Sequence, residues 1–512
     1  MLVKVFGAAV QGIDATVITI ETNCSRGCMF YLVGLPDSAV KESHHRIICA
    51  LQFNDYKMPT SQITVNMAPA DIRKEGAAYD LPIAVSMLAA AEKIAAGKLP
   101  RYLIMGELSL DGTIQPVKGV LSIAIRAKEE GFEGVIVPQQ NVREAAVVEG
   151  IKVFGVRQLK EVVDFLNGQI ELPETSIDIR EEFYAQQDRF ELDFSDVKGQ
   201  DNVKRALEIA AAGGHNLIMI GSPGSGKSMM AKRLPSILPP LSLEESLETT
   251  KIHSVAGKLN RNTSLISKRP FRDPHHTISP VALVGGGSYP QPGEISLAHN
   301  GVLFLDELAE FNRNVLEVLR QPLEDRSITI SRVKWNVDYP AGFMLVASTN
   351  PCPCGYYNHP TRDCVCTQTQ VQKYLNKISG PLLDRIDIQV EIAPVSFEKI
   401  SDTRPAEASI AIRERVIAAR NIQAKRYEAH RGVYCNAQMS GKLLGRYAQP
   451  DTQGLKLLRT AMNSLNLSAR AYDRILKVAR TIADLEGSEQ IHYTHIGEAI
   501  GYRSLDKVGQ TT

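Results

Sequence analysis

The chain has 512 residues, with 58 Lys plus Arg against 57 Asp plus Glu, a net charge of +1, 44% hydrophobic residues and 22% charged residues. At roughly 100–200 residues per domain this length predicts about three domains, and the composition excludes a disordered polymer or a single small module. Without bulk basicity, any site for a polyanion has to be local.

Residues Met1–Gln11 alternate like an edge strand, and the apolar run before Asp14 is too short for a signal peptide. The apolar window Leu81–Ala91 is interrupted by Pro82 and Ser86 and falls short of the ~20 residues that span a bilayer, so a cytoplasmic protein without a membrane partner is expected. Apolar patterning predicts strands at Val17–Glu21, Ile63–Met67, Tyr102–Met105 and Gly134–Pro138. Helices are expected at Val40–Leu51, Leu81–Ile94 and Ser122–Glu130, which makes residues 1–168 one mixed α/β domain. Residues 169–192 turn acidic and polar and read as a linker. Over 193–395, short apolar runs such as Asn216–Ile220, Val302–Leu305 and Met344–Ala347 alternate with helical stretches, the pattern of a parallel sheet built from βαβ units. The remainder, 396–512, is helix-rich. It holds an apolar stripe of Ala471, Ile475, Val478 and Ile482, with Arg470 at its start. Between Ser401 and Arg446, nine Lys and Arg face four Asp and Glu, which suits either phosphate contact or a solvated helix face.

The segment Gly221-Ser222-Pro223-Gly224-Ser225-Gly226-Lys227-Ser228 matches G-x-x-x-x-G-K-[ST], follows an apolar strand and precedes a helical stretch. In that context the glycines let backbone N–H groups wrap a phosphate, Lys227 reaches the β/γ-phosphates and Ser228 ligates Mg²⁺, so ATP and Mg²⁺ are the expected cofactors. Val302–Leu305 ends in Asp306 and Glu307, one carboxylate for the metal and one to polarise the attacking water. The strand Phe343–Thr349 ends at Asn350, whose amide suits a phosphate or the water, or simply a turn before Pro351. Eight cysteines are too few for a disulfide scaffold, and four of them crowd together. Cys352, Cys354, Cys364 and Cys366 form two C-x-C pairs that suit one structural Zn²⁺; the pairs are tight enough that His359 is an alternative to one sulfur. The other four cysteines read as buried thiols. Ile328–Trp335 is strand-prone and carries Arg332, Lys334 and the single Trp335, a combination suited to DNA backbone contact and base stacking, with a plain structural hairpin equally open.

The order of these elements resembles the AAA+ ATPases, and Pro381-Leu-Leu-Asp-Arg385-Ile-Asp387 resembles the segment that presents an arginine finger to a neighbouring subunit. Phe271-Arg-Asp-Pro-His-His276, Pro292-Gly-Glu-Ile-Ser-Leu-Ala-His-Asn-Gly301 and Leu467-Ser-Ala-Arg470-Ala-Tyr-Asp-Arg474 narrow the resemblance to the magnesium-chelatase-like YifB/ComM family, over essentially the whole chain. That resemblance implies an AAA+ P-loop α/β core with a helical C-terminal lid. It also implies an N-terminal domain with the fold of the Lon protease catalytic domain (ribosomal S5 domain 2-like). It assigns Lys227, Ser228, Asp306 and Glu307 to the Walker motifs, Asn350 to sensor 1, Arg385 to the finger and Arg470 to sensor 2. Ser267–Gly293 and the Ile328–Trp335 hairpin resemble the extra elements of the branch that holds the chelatase subunits and MCM helicases, where such hairpins face the channel of a hexamer. In the N-terminal domain Ala78 stands where a Lon-type serine would fall and Leu121 where its lysine would, so no catalytic dyad is expected. Lys118 and Ser122 could still form an accidental pair, but the spacing is wrong for the motif and no base is obvious. The family reading is a ring-forming ATPase, a hexamer by likeness, that drives DNA translocation or branch migration in homologous recombination or natural transformation. The alternative is a protein-remodelling or chelatase-type motor with a polypeptide partner.

Overall fold

The computed structural model describes residues 2–57, 61–260, 263–287, 290–332, 335–395, 401, 404–465 and 467–503. By contacts the chain forms two units: Met1–Ala185 with Leu243–Ile266, and Gln186–Ser242 with Ser267–Thr512.

In the first unit a seven-stranded mixed sheet runs in the spatial order Phe30–Val33, Gln62–Ala68, Asp14–Ser25, Leu2–Gln11, Tyr102–Ile104, Gly134–Pro138, Lys152–Val156. Leu2–Gln11 is therefore central rather than an edge strand. It pairs antiparallel with Asp14–Ser25 along its whole length and parallel with Tyr102–Ile104 on its other side. Its alternation is real for the first residues, then gives way to the buried run Gly7–Ala9 where helices cover it. Helix Asp80–Ala90 is buried at every residue; its two polar members are paired, Asp80 with Arg46 at 2.8 Å and Ser86 with Thr22 at 2.7 Å, and the rest is apolar.

The boundaries of the units differ from the sequence expectation in two places. Helix Leu243–Val255, inside the stretch assigned to the 193–395 domain, packs with the first unit. Its Ser254 hydroxyl donates to the buried Glu144 carboxylate, which also accepts from the Leu121 N–H at 2.9 Å and the Asn141 amide at 3.2 Å. The expected linker 169–192 contains a helix, Ile179–Gln187, because Ile179, Phe183 and Gln187 recur every fourth residue and are buried.

The second unit is built on a fully parallel five-stranded sheet in the order Phe271–Arg272, Val302–Leu305, Met344–Thr349, Leu217–Gly221, Ile388–Ile392. The three central strands are buried throughout, as parallel strands covered on both faces should be. Helices Ser409–Tyr427, Gly441–Tyr447, Thr452–Ser464, Ala469–Leu485 and Tyr493–Gly501 follow, and Ala471, Ile475, Val478 and Ile482 bury their stripe in the core. Among the described residues no helix is long and apolar enough to cross a membrane.

Candidate nucleotide site

Strand Leu217–Gly221 ends at the sheet's carboxyl edge and leads through Ser222–Gly226 into helix Lys227–Arg233. Gly226 holds φ 86°, a left-handed backbone that favours glycine at the loop-to-helix junction. Lys227 is buried, and its ammonium donates to Gly221 O at 2.6 Å, Ser222 O at 2.9 Å and Asn350 Oδ1 at 3.2 Å. Burial pushes its pKa down, and the Asp306 and Glu307 charges oppose the shift.

The parallel register Phe304↔Val346 and Leu305↔Ala347 brings the ends of two strands side by side. Asp306 accepts from Ser228 Oγ at 2.6 Å on one oxygen and from Ser348 Oγ on the other. A serine hydroxyl and a carboxylate converging in this way are the hard oxygen donors that Mg²⁺ prefers, so Ser228 and Asp306 fit the metal assigned to them. Ser348 was not singled out by sequence; the register alone points to it. Glu307 follows in a left-handed conformation, φ 54°, with its N–H on Asp306 Oδ1 at 3.1 Å and its carboxylate 53% exposed. His276 Nδ1 lies 3.8 Å from Glu307 Oε2, and the His276 ring packs on His275 with centroids 4.0 Å apart. The motif containing both histidines was legible, but no role came with it.

Arg385 is buried rather than free: it pairs with Glu324 at 2.5 Å and donates to Pro381 O at 2.6 Å. Arg470 is 62% exposed, with Asp384 at 3.7 Å. One turn further along the same helix, Arg474 reaches the buried Asp387 at 2.6 Å. The Asp387 carboxylate also accepts from the Asn216 N–H at 2.9 Å and sits 3.6 Å from His215. Against the cost of burial, the Arg474 charge and His215 hold this carboxyl well below its ordinary range. Asp387→Ala leaves Arg474 and an amide without their partner, and should lower unfolding stability at neutral pH by about 3–5 kcal/mol in urea titrations. A depressed folded-state pKa stabilises above the unfolded value and is lost as pH falls, so parent and variant should converge on acidification below about pH 4.

The four cysteine sulfurs of Cys352, Cys354, Cys364 and Cys366 lie within 4.8 Å of one another. Cys352–Cys354 is 3.3 Å, Cys354–Cys364 3.5 Å and Cys352–Cys364 3.7 Å. His359 stands apart from this set, its Nδ1 accepting from Thr361 N at 3.2 Å and Arg362 N at 3.1 Å. The remaining cysteines are not uniformly buried: Cys435 is, Cys24 is half-buried, and Cys28 and Cys49 are exposed.

The expected hairpin consists of Ser327–Arg332 and Trp335–Pro340, antiparallel, with Arg332 and Trp335 opposite each other at its end; Lys334 lies outside the described residues. In the basic stretch several cations are committed internally. Arg413 pairs with Asp188 at 2.6 Å, Arg415 with Glu208 at 2.5 Å and Glu407 at 2.6 Å, and Arg426 with Asp484 at 2.5 Å. In the first unit Leu121 is fully buried, and Ser122 Oγ donates to Ile13 O at 2.5 Å.

Family models match along the chain: magnesium chelatase subunit ChlI over 193–400, subunit ChlI of Mg-chelatase over 20–141, and the ChlI C-terminal region over 406–503. The competence protein ComM of Haemophilus influenzae is 43% identical over 512 residues, covering 99% of both chains. YifB of Escherichia coli is 42% identical over 510 residues, covering 98% of this chain and 96% of its own. Lon protease 2 of Bacillus subtilis is 28% identical over 189 residues, 31% of this chain and 33% of the protease. With this coverage, and with the phosphate loop, Asp306, Glu307 and Asn350 gathered at one edge of the parallel sheet, the chain belongs to the magnesium-chelatase-like AAA+ ATPases of the YifB/ComM family.

Proposed function

We propose that this protein is a ring-forming, hexameric ATPase that couples ATP hydrolysis to movement along DNA, including branch migration during recombination or uptake of DNA. The observation that carries the ATPase reading is the convergence of Lys227 on Asn350 and of Ser228 on Asp306, which joins three strand ends into one site. In this reading the loop amides and Lys227 bind the phosphates, Ser228 and Asp306 hold Mg²⁺, and Glu307 takes the proton of the attacking water. Mg²⁺ held by Ser228 and Asp306 would supply positive charge against the negative charge that develops on the phosphates. Asn350 orients the γ-phosphate, Arg470 contacts it from the helical domain, and Arg385 serves the site of the next subunit.

The DNA reading is supported by Arg332, Lys334 and Trp335 standing close together in the sequence, and by the similarity to a protein named for competence. The cations of 401–446 lend it less support, since those just described hold helices to the core. The first unit acts as a scaffold without peptidase activity: Ala78 and Leu121 offer neither nucleophile nor base, and the Ser122 hydroxyl is taken up by a carbonyl.

A structural zinc belongs to the same reading. Tetrahedral sulfur ligands at about 2.3 Å from zinc stand about 3.8 Å apart, close to the spacing of the four thiols. The cytoplasm, where this ATPase would work, keeps such thiols reduced. ATP turnover by the full chain, measured with no DNA and with single-stranded, duplex and forked DNA at fixed salt, tests the assignment. DNA should raise the rate, forked DNA most. Turnover indifferent to every DNA would overturn the DNA reading in favour of a motor acting on a polypeptide.

A further inference from the structure

The cysteine loop touches the phosphate loop at two points. Asn350, two residues before Cys352, accepts from the Lys227 ammonium at 3.2 Å. Gly355, one residue after Cys354, closes a turn by donating its N–H to Cys352 O at 3.0 Å, with φ +84°. Its backbone lies against the Pro223 ring so closely that a Cβ there would stand 2.5 Å from Pro223 Cδ and 2.8 Å from Cγ. Pro223 is the third residue of the phosphate loop, and Lys227 is its phosphate-binding cation. Whatever fixes Cys352 and Cys354 therefore fixes both ends of the surface on which the phosphate loop rests.

Cys352 is fully buried three residues beyond strand Met344–Thr349, whereas Cys364 and Cys366 come from the far end of an excursion with no strand of its own. A metal joining the pairs would tie that excursion to the sheet. Without one, the two pairs are joined by weaker contacts, backbone N–H groups of Val365 and Cys354 on the sulfurs of Cys354 and Cys366.

We propose that the four-cysteine centre is a metal-dependent brace for the phosphate loop, so that zinc at Cys352, Cys354, Cys364 and Cys366 raises nucleotide affinity through the Gly355–Pro223 and Asn350–Lys227 contacts. The proposal rests on the reading that these cysteines hold zinc. Coupling between two binding sites is reciprocal, so bound nucleotide tightens zinc by the same factor that zinc tightens nucleotide.

The test uses the full-length protein purified without added zinc. Elemental analysis should give about one zinc per chain, as expected of one closed Cys₄ site. Zinc affinity is then measured by competition with a chelator of known strength, with and without a fluorescent non-hydrolysable ATP analogue and Mg²⁺, and the affinity of the same analogue with Mg²⁺ is measured on zinc-loaded and zinc-stripped protein. Both measurements should return one common factor within the roughly 5–150-fold range usual for coupled sites. In Pro223→Ala the ring against Gly355 is gone, and this factor should shrink while zinc content stays the same. Protein that binds no zinc overturns the zinc reading itself. Protein that binds zinc with the same affinity whether or not nucleotide is present overturns the brace and leaves the zinc reading standing. That second measurement is made on folded, loaded protein, so it holds even where stripping the metal unfolds the chain. An undiminished factor in Pro223→Ala would exclude the Gly355 contact as the route and overturn the proposal as stated.

Discussion

Lys227→Ala should abolish detectable ATPase activity and weaken nucleotide binding at least tenfold, whereas Glu307→Gln should keep nucleotide affinity and lose roughly 10²–10⁴-fold in turnover. The two residues differ in what they touch. Lys227 is buried against the carbonyls of its own loop and the Asn350 amide, so its removal takes away the cation proposed to bind phosphate together with its bonds to Gly221 O and Ser222 O. Glu307 is half-exposed beside His276, and the phosphate loop does not depend on it for any described hydrogen bond. Its amide replacement keeps the shape and the backbone N–H on Asp306, and removes only the carboxylate that accepts a proton from water. Equilibrium binding of a fluorescent nucleotide beside a steady-state ATPase assay separates the two effects. Near-parental turnover by Glu307→Gln would sink the assignment of the water-polarising residue.

How far this site could be read from sequence depended on whether its parts are local. The phosphate loop is eight consecutive residues whose geometry is fixed by glycine and by the strand and helix that flank it, so spacing sufficed. Asp306, Glu307 and Asn350 each terminate an apolar run, and in a parallel sheet such termini share one edge; their convergence was legible from strand patterning alone. Ser348 needed the inter-strand register, which sequence periodicity does not carry. The His276 contact depends on a loop path of several residues after Phe271–Arg272, and motif recognition gave the residues without their partner.

The fold shows the same division. The parallel core and the helical C-terminal region follow from buried runs and 3.6-residue stripes. The place of Leu2–Gln11 did not, because its alternating start is shared by edge and central antiparallel strands, and only the second neighbour distinguishes them. Helix Leu243–Val255 has charged and polar residues over much of its length, with no stripe to announce where it docks; Ser254 and Glu144 meet across 110 positions of sequence. Cations were the most misleading class. A count of charge over 401–446 cannot distinguish a guanidinium reaching Asp484 inside the protein from one left to water, and the long arginine stem makes the first common.

Arg385→Ala should cost on the order of 10³–10⁵ in turnover, and mixing it with Lys227→Ala should restore activity that neither variant has alone. In a ring that uses a finger from the neighbour, an Arg385→Ala subunit has a sound phosphate loop and a Lys227→Ala subunit has a sound arginine, so one of the two mixed interfaces is complete. To act as such a finger, Arg385 has to leave its partners within the chain. Arg385 is buried, paired with Glu324 at 2.5 Å and bonded to Pro381 O, and its Nε has no partner. Reaching a neighbour's phosphate requires exchanging the Glu324 pair for one with the ligand, and Glu324 is half-exposed on the helix that leads directly into the Ser327–Pro340 hairpin. Glu324→Gln should therefore ease that exchange and raise turnover at protein concentrations where rings form, while leaving the inactivity of Arg385→Ala unchanged in the double variant. The measurement is ATPase rate against subunit ratio at constant total protein, in assemblies shown by pull-down of a tagged subunit to be mixed. A rate that stays at the level of the two inactive parents across all ratios would exclude action across the interface and return Arg385 to a structural role beside Glu324.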